Sequence, residues 1–203
     1  MTCPSCKTPT LSDNLCLTCR KTQATQKYTP EAILPLEVPR VIVKKLSKEI
    51  SDYHKSESLF IHGPAGSGKS HMAACLMYQA MCSNNPEIFS SEFAWVNVPK
   101  LLFDIRQTYN NKELQGEEQR LLEKYSRIHW LCLDDLGAEK TSDWSLQTLY
   151  LIINARYENE RTTVITSNLS TEELAVKMED DRLSSRISGM CRVVELNGKD
   201  RRK

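Results

Sequence analysis

Eight consecutive residues constrain this chain more than all the others. Gly63-Pro64-Ala65-Gly66-Ser67-Gly68-Lys69-Ser70 fits the pattern G-x-x-x-x-G-K-[ST]. Glycines, lacking a Cβ, let backbone N–H groups turn inward around a phosphate chain. Lys69 would place its charge on the β- and γ-phosphates, and the Ser70 hydroxyl would ligate Mg²⁺. The apolar stretch 58–62 precedes the loop, and a run rich in Ala, Met and Leu over 70–82 follows it. Such a strand–loop–helix order points the positive end of a helix at the bound anion.

The pattern around the loop repeats the same alternation. Short apolar runs at 93–98, 129–133, 162–166 and 192–196 read as further strands. The run at 129–133 is nearly all apolar, as expected of a strand covered on both faces. Helices are expected after Pro99, over 143–158 with Ser142 or Asp143 as N-cap, and from Thr171 onward. There Ser170 and Glu173 have capping-box spacing. Strands alternating with helices predict an α/β fold with a mostly parallel sheet. No internal repeat is present.

Trp130-Leu131-Cys132-Leu133-Asp134-Asp135 is an apolar strand ending in two carboxylates. Asp134 is placed to hold Mg²⁺ through water, and Asp135 to orient or deprotonate an attacking water. Alone, an Asp-Asp pair is an ordinary strand end. After a phosphate loop the two are parts of one phosphoryl-transfer site.

Four of the eight cysteines lie in the first 19 residues, as Cys3-x2-Cys6 and Cys16-x2-Cys19. Two such knuckles supply four thiolates for a tetrahedral Zn²⁺. Residues 1–22 have too little apolar content to fold on a core of their own, so the metal would do that work. Residues 23–39 read as a linker broken by Pro30, Pro35 and Pro39. Residues 40–203 form the nucleotide domain, with helical spacing already over 41–53. Cys75, Cys82, Cys132 and Cys191 sit among apolar residues and are expected as small buried hydrophobes. The N-terminus has no apolar leader, and no stretch approaches the ~20 apolar residues of a membrane helix. The expectation is a cytoplasmic protein with no membrane partner. Both ends are basic around an acidic body, which fits either nucleic-acid contact at the ends or solvated tails.

The segments HGPAGSGKSH, WLCLDDLGAEK, LQTLYLIINARYENERTTVITSNLS and DRLSSRISGMCRVVELNGKDRR resemble the DnaC-type helicase loaders. These are AAA+ ATPases, close to the IstB transposition helpers. The resemblance covers about residues 36–203. It implies the P-loop AAA+ (ASCE) three-layer fold, with a central parallel five-stranded sheet behind the small N-terminal zinc module. It implies ATP and Mg²⁺ at the loop, with His71 following it. Asn168 would be the sensor-1 residue that positions the attacking water. Arg182 would be the arginine finger that reaches a neighbouring subunit's nucleotide, with Arg186 the next candidate, and Arg201 would be the sensor-2 arginine. Many AAA+ proteins have Asp-Glu where this chain has Asp134-Asp135. The chain also runs only briefly past Arg201, so the helical lid is expected to be minimal or absent.

The function this implies is ATP-dependent loading of a replicative hexameric helicase in a bacterial or phage-infected cell. Self-association would pass through the ATP site, single-stranded DNA would bind the ATPase domain, and the zinc module would hold the helicase. Two rivals are an IstB-like helper that delivers a transposase, and a DNA-binding adaptor whose nucleotide site is only structural.

Overall fold

The computed structural model describes residues 57–81, 93–109 and 116–197. The four knuckle cysteines, the linker, the helix expected over 41–53, Cys82 and Arg201 lie outside them. Five strands are described: β1 (Ser58–His62), β2 (Phe93–Asn97), β3 (Trp130–Leu136), β4 (Thr162–Ser167) and β5 (Cys191–Glu195). Between them run α1 (Lys69–Met81), α2 (Val98–Tyr109), α3 (Glu117–Arg127), α4 (Asp143–Glu158), α5 (Thr171–Met178) and α6 (Arg182–Met190).

The strands form one sheet in the order β2-β3-β4-β1-β5, with every neighbouring pair parallel. The five-stranded parallel sheet of the sequence reading is the sheet found. β4 lies between β1, which leads into the loop, and β3, which carries the two carboxylates.

Both faces of the sheet are covered, which is why its strands are apolar runs and not alternating ones. Leu59, Ile61, Cys132 and Val164 point to the α1 side and pack on Ala73, Leu76 and Met77. Their strand neighbours Phe60, Leu131, Leu133 and Ile165 point the other way. They meet Leu101 and Ile105 of α2, Ile152 and Ile153 of α4, and Ile187 of α6. Cys75, Cys132 and Cys191 are buried free thiols, as their apolar neighbours suggested.

The helix caps agree with the sequence. Ser142 caps α4 by accepting from the Ser145 N–H at 3.2 Å, and Ser170 and Glu173 form the capping box of α5. Two helices carried too little signal to be expected. In α3 no residue is fully buried, and only Leu121, Leu122 and Tyr125 lean on the core. In α6 the buried apolar residues are Leu183 and Ile187, one turn apart among serines with weak helix propensity. Tertiary packing forms both.

Among the described residues one cation, Arg156, is 0% exposed. Arg156 of α4 donates to Tyr125 O and Ile128 O at the end of α3, to Thr162 O, and to Thr163 Oγ1, each at 2.7–2.8 Å. Burial, helped by the charge of Arg161 nearby, lowers its pKa to about 9. It therefore keeps its charge at neutral pH, shared among carbonyl dipoles.

Candidate functional site

The site lies where β1, β3 and β4 end, at their carboxyl tips, the usual binding edge of a parallel sheet. The chain leaves β1 at His62 and turns at once. Gly63 has φ 145°, and a Cβ there would stand 2.4 Å from the carbonyl oxygen of Leu196. Only glycine fits. The contact is fixed by a hydrogen bond from the Leu196 N–H to His62 O at 2.8 Å, so the end of β5 is stitched to the start of the loop. The loop then runs into the N-terminus of α1, where the first N–H groups have no partner inside the helix.

Within the loop, the Lys69 amine donates to the carbonyls of Gly63 and Pro64, both at 2.9 Å. The lysine is 6% exposed. Ser67, 2% exposed, carries a buried hydroxyl that has no hydrogen-bond partner in the protein. An orphaned buried donor beside a ring of N–H groups fits an anionic ligand such as a phosphate chain. His71, the third residue of α1, faces Cys75 one turn on, with Nε2 3.6 Å from Sγ.

The two carboxylates stand opposite the loop. The Ser70 side chain is hydrogen-bonded to Asp134, and Thr166 Oγ1 donates to Asp134 Oδ1 at 2.6 Å. Burial pushes the Asp134 carboxyl above its ordinary pKa, with the nearby Asp135 charge adding to the rise. The hydrogen bonds from Thr166 and Ser70 and the charge of Lys69 pull against that shift. Ser70 and Asp134, read separately from the sequence as magnesium ligands, are thus in contact. A hydroxyl and a carboxylate, both hard oxygen donors, suit Mg²⁺.

Asp135 follows in a left-handed conformation, φ 61°. Its Oδ2 accepts from Asn97 Nδ2 at 3.2 Å. Asn97 ends β2, and the sequence reading did not single it out. The signal was a polar residue closing an apolar strand, too common to stand out alone.

Other expected residues stand elsewhere. Asn168 is exposed in the turn after β4, and the β4 contact to the carboxylates comes from Thr166. Arg182, at the start of α6, is held by Asp180. Arg186 donates through Nε to Asn154 at 2.8 Å and stacks over Tyr157. A cleft of about 780 Å³ lies between α4 and the turn joining α5 to α6. Tyr150, Lys177 and Arg182 line it, and it shares no lining residue with the loop. Among the described residues, no group of three or more His, Cys, Asp or Glu side chains is arranged to hold a metal, and no helix is long and apolar enough to cross a membrane.

Comparison with known proteins adds relatives to this geometry. The model of the family described as IstB-like ATP binding protein matches residues 35–203. An uncharacterised protein of Bacillus subtilis, YqaM, is 26% identical over 143 residues, covering 68% of this chain and 42% of that protein. The replicative helicase loader DnaC of Buchnera aphidicola is 27% identical over 132 residues, covering 64% of this chain and 51% of the loader. The chain thus spans about half, or less, of these relatives. The crystal structure of the DnaC helicase loader superposes with a TM-score of 0.58 at 24% identity, covering 78% of this chain and 85% of that one. At that identity the likeness is one of fold.

Proposed function

The chain belongs to the family of IstB-like ATP binding proteins, and on that premise we propose that it is an ATP-dependent loader of a replicative DNA helicase. The observation that best supports the ATPase half is the hydrogen-bonded run of Ser70, Asp134 and Thr166 beside the loop. The helicase half is supported by the similarity to a DnaC loader.

In this reading residues 40–203 are an AAA+ ATPase domain, and ATP lies along the loop 63–70 and its main-chain N–H groups, which Pro64 alone lacks, with His71 in the first turn behind them. Mg²⁺ held by Ser70 and Asp134 would neutralise charge on the β- and γ-phosphate oxygens. Lys69 exchanges the Gly63 and Pro64 carbonyls for phosphate oxygens. Asp135, held by Asn97, orients the attacking water and takes its proton. Asn168 steadies that water from the turn after β4. Arg182 acts on a neighbouring subunit, which fits its position on a cleft separate from the loop. Arg201 serves as the second sensor. Cys3, Cys6, Cys16 and Cys19 hold Zn²⁺ in residues 1–22, and the linker 23–39 lets that module grip the hexameric helicase in the cytoplasm while the ATPase domain binds single-stranded DNA.

ATP turnover with and without single-stranded DNA, together with capture of partners by the full chain, tests the reading. Turnover that single-stranded DNA stimulates and Lys69→Ala abolishes, with a hexameric helicase captured, is the expected result. Capture of a transposase with stimulation by duplex DNA points instead to a transposition helper. DNA binding with no turnover points to an adaptor.

A further inference from the structure

We propose that Thr166 is a positioning residue for both carboxylates, its one hydroxyl setting the orientation of Asp134 and of Asp135 together. This rests on the ATPase reading above.

The observations begin with strand register. The β3–β4 ladder pairs Leu133 with Ile165 and next pairs Leu136 with Ser167. Two residues of β3, Asp134 and Asp135, therefore face the single residue Thr166 of β4. Such a bulge takes a residue out of the ladder and re-aims the side chains around it. In a regular strand adjacent side chains point to opposite faces. Here the left-handed Asp135 breaks that rule, at a φ that Asp tolerates better than most residues.

The bulge leaves main-chain groups in need of partners. The Asp135 N–H finds Thr166 Oγ1 at 3.0 Å. The same oxygen donates to Asp134 Oδ1 at 2.6 Å. A hydroxyl has one proton. With the N–H donating to the oxygen, that proton is committed to Asp134. Thr166 is 0% exposed, so no bulk water competes, and its branched Cβ restricts χ1. On its other side β4 pairs with β1, Thr166 beside Ile61, two residues before Gly63. Thr166 thus ties the carboxylate strand by its side chain, and the strand that carries the loop by its main-chain pairing.

The rival explanation is a buried threonine that merely satisfies a bulge. It predicts lost stability without a specific change in magnesium use. Steady-state turnover is measured for Thr166→Val, which keeps the shape and removes the hydroxyl, and for Thr166→Ser, which keeps the hydroxyl. Magnesium is titrated in each, and binding of a fluorescent ATP analogue is followed with and without it. Partners that orient metal ligands are worth about 10–100-fold, so Thr166→Val should lose about that factor in kcat and need about tenfold more Mg²⁺ for half-maximal rate. Magnesium-free nucleotide binding should stay within about threefold, and Thr166→Ser should restore kcat and the magnesium midpoint to within about threefold.

Thr166→Val with wild-type kcat and magnesium midpoint overturns the proposal, as does Thr166→Ser impaired as badly as Thr166→Val. If Thr166→Val does not fold, Thr166→Ala carries the same readouts. A wild type no faster than Lys69→Ala marks failure of the ATPase reading itself. The magnesium dependence of analogue binding then decides the positioning claim, and an unchanged dependence in Thr166→Val overturns it.

Discussion

Asp180 holds Arg182 by three separate groups. The guanidinium Nε and Nη2 lie 3.0 and 2.6 Å from Oδ2, and the Arg182 main-chain N–H lies 2.8 Å from Oδ1. The guanidinium also sits over the ring of Tyr150, 5.5 Å from its centre. Hydrogen bonding to Arg182 holds the Asp180 carboxyl below its ordinary pKa. These contacts use the Nε–Nη2 edge and leave the Nη1 edge for another acceptor.

In the proposed reading Arg182 is the arginine finger, and one presented in this way should act between subunits. Arg182→Ala should cut turnover by a large factor, ~10³–10⁵ in the most dependent enzymes, while each subunit still binds nucleotide. Mixing the inactive variants Lys69→Ala and Arg182→Ala should return activity, because a mixed pair joins an intact loop to an intact finger. A mixture that stays inactive beside an active wild type moves the role to Arg186 or to a contact within the subunit.

Asn97 should matter to the rate and not to binding. Removing its amide by Asn97→Ala frees the Asp135 carboxylate from its partner on β2, and turnover should fall about tenfold at unchanged nucleotide affinity. Steady-state kinetics alongside a nucleotide titration check the split.

Arg156 should be costly to replace. Arg156→Met leaves three carbonyls and a threonine hydroxyl without their donor, and the fold should lose about 3 kcal/mol or more. For a domain of this size that lowers the melting temperature by about 10 °C. Arg156→Lys should fare little better, since a single ammonium cannot span four acceptors. Melting within about 2 °C of wild type for either variant would contradict the role given to this residue.

Glu139 gives a pH signature. It is 9% exposed, and burial pushes its carboxyl above the ordinary range, against the pull of its hydrogen bond from the Gly137 N–H and the charge of Lys177. The native state therefore holds the proton more tightly than the unfolded chain does. Stability from this residue is fully present below the unfolded pKa and is lost as pH rises through the folded one. Glu139→Gln should melt above wild type at neutral pH, and the gap should close near about pH 4. A gap that is flat with pH would sink the assignment.

The cysteine knuckles predict one Zn²⁺ per chain. A chelator should release it and unfold residues 1–22, while the ATPase domain keeps its melting transition. Freshly reduced protein without zinc, or zinc retained by the double variant Cys16→Ser and Cys19→Ser, would refute the assignment.

What the sequence disclosed followed from chemistry that is local along the chain. The loop, the carboxylate strand, the caps at Ser142 and Ser170 and the parallel sheet each carry a signal within a few residues. What stayed hidden depends on register and on distant partners. Thr166 reads as one more β-branched strand residue until the bulge sets two aspartates against it. Asn97 lies 38 residues from the carboxylate it holds. Arg156 is one more charged residue in a helical run, yet it is fully buried. The Asp135 departure from the Asp-Glu pattern also gains a physical reason. At φ 61° an aspartate is more at ease than a longer side chain.

The buried guanidinium of Arg156 has a mechanical consequence. Its partners are the residues that enter β3 and β4, at the end of the sheet remote from the phosphate loop. Thr166 couples the same two strands at the other end. A pair of strands clamped at both ends resists sliding like a ladder with its first and last rungs welded. In the proposed ATPase, any rearrangement that follows hydrolysis therefore finds little room between these two strands.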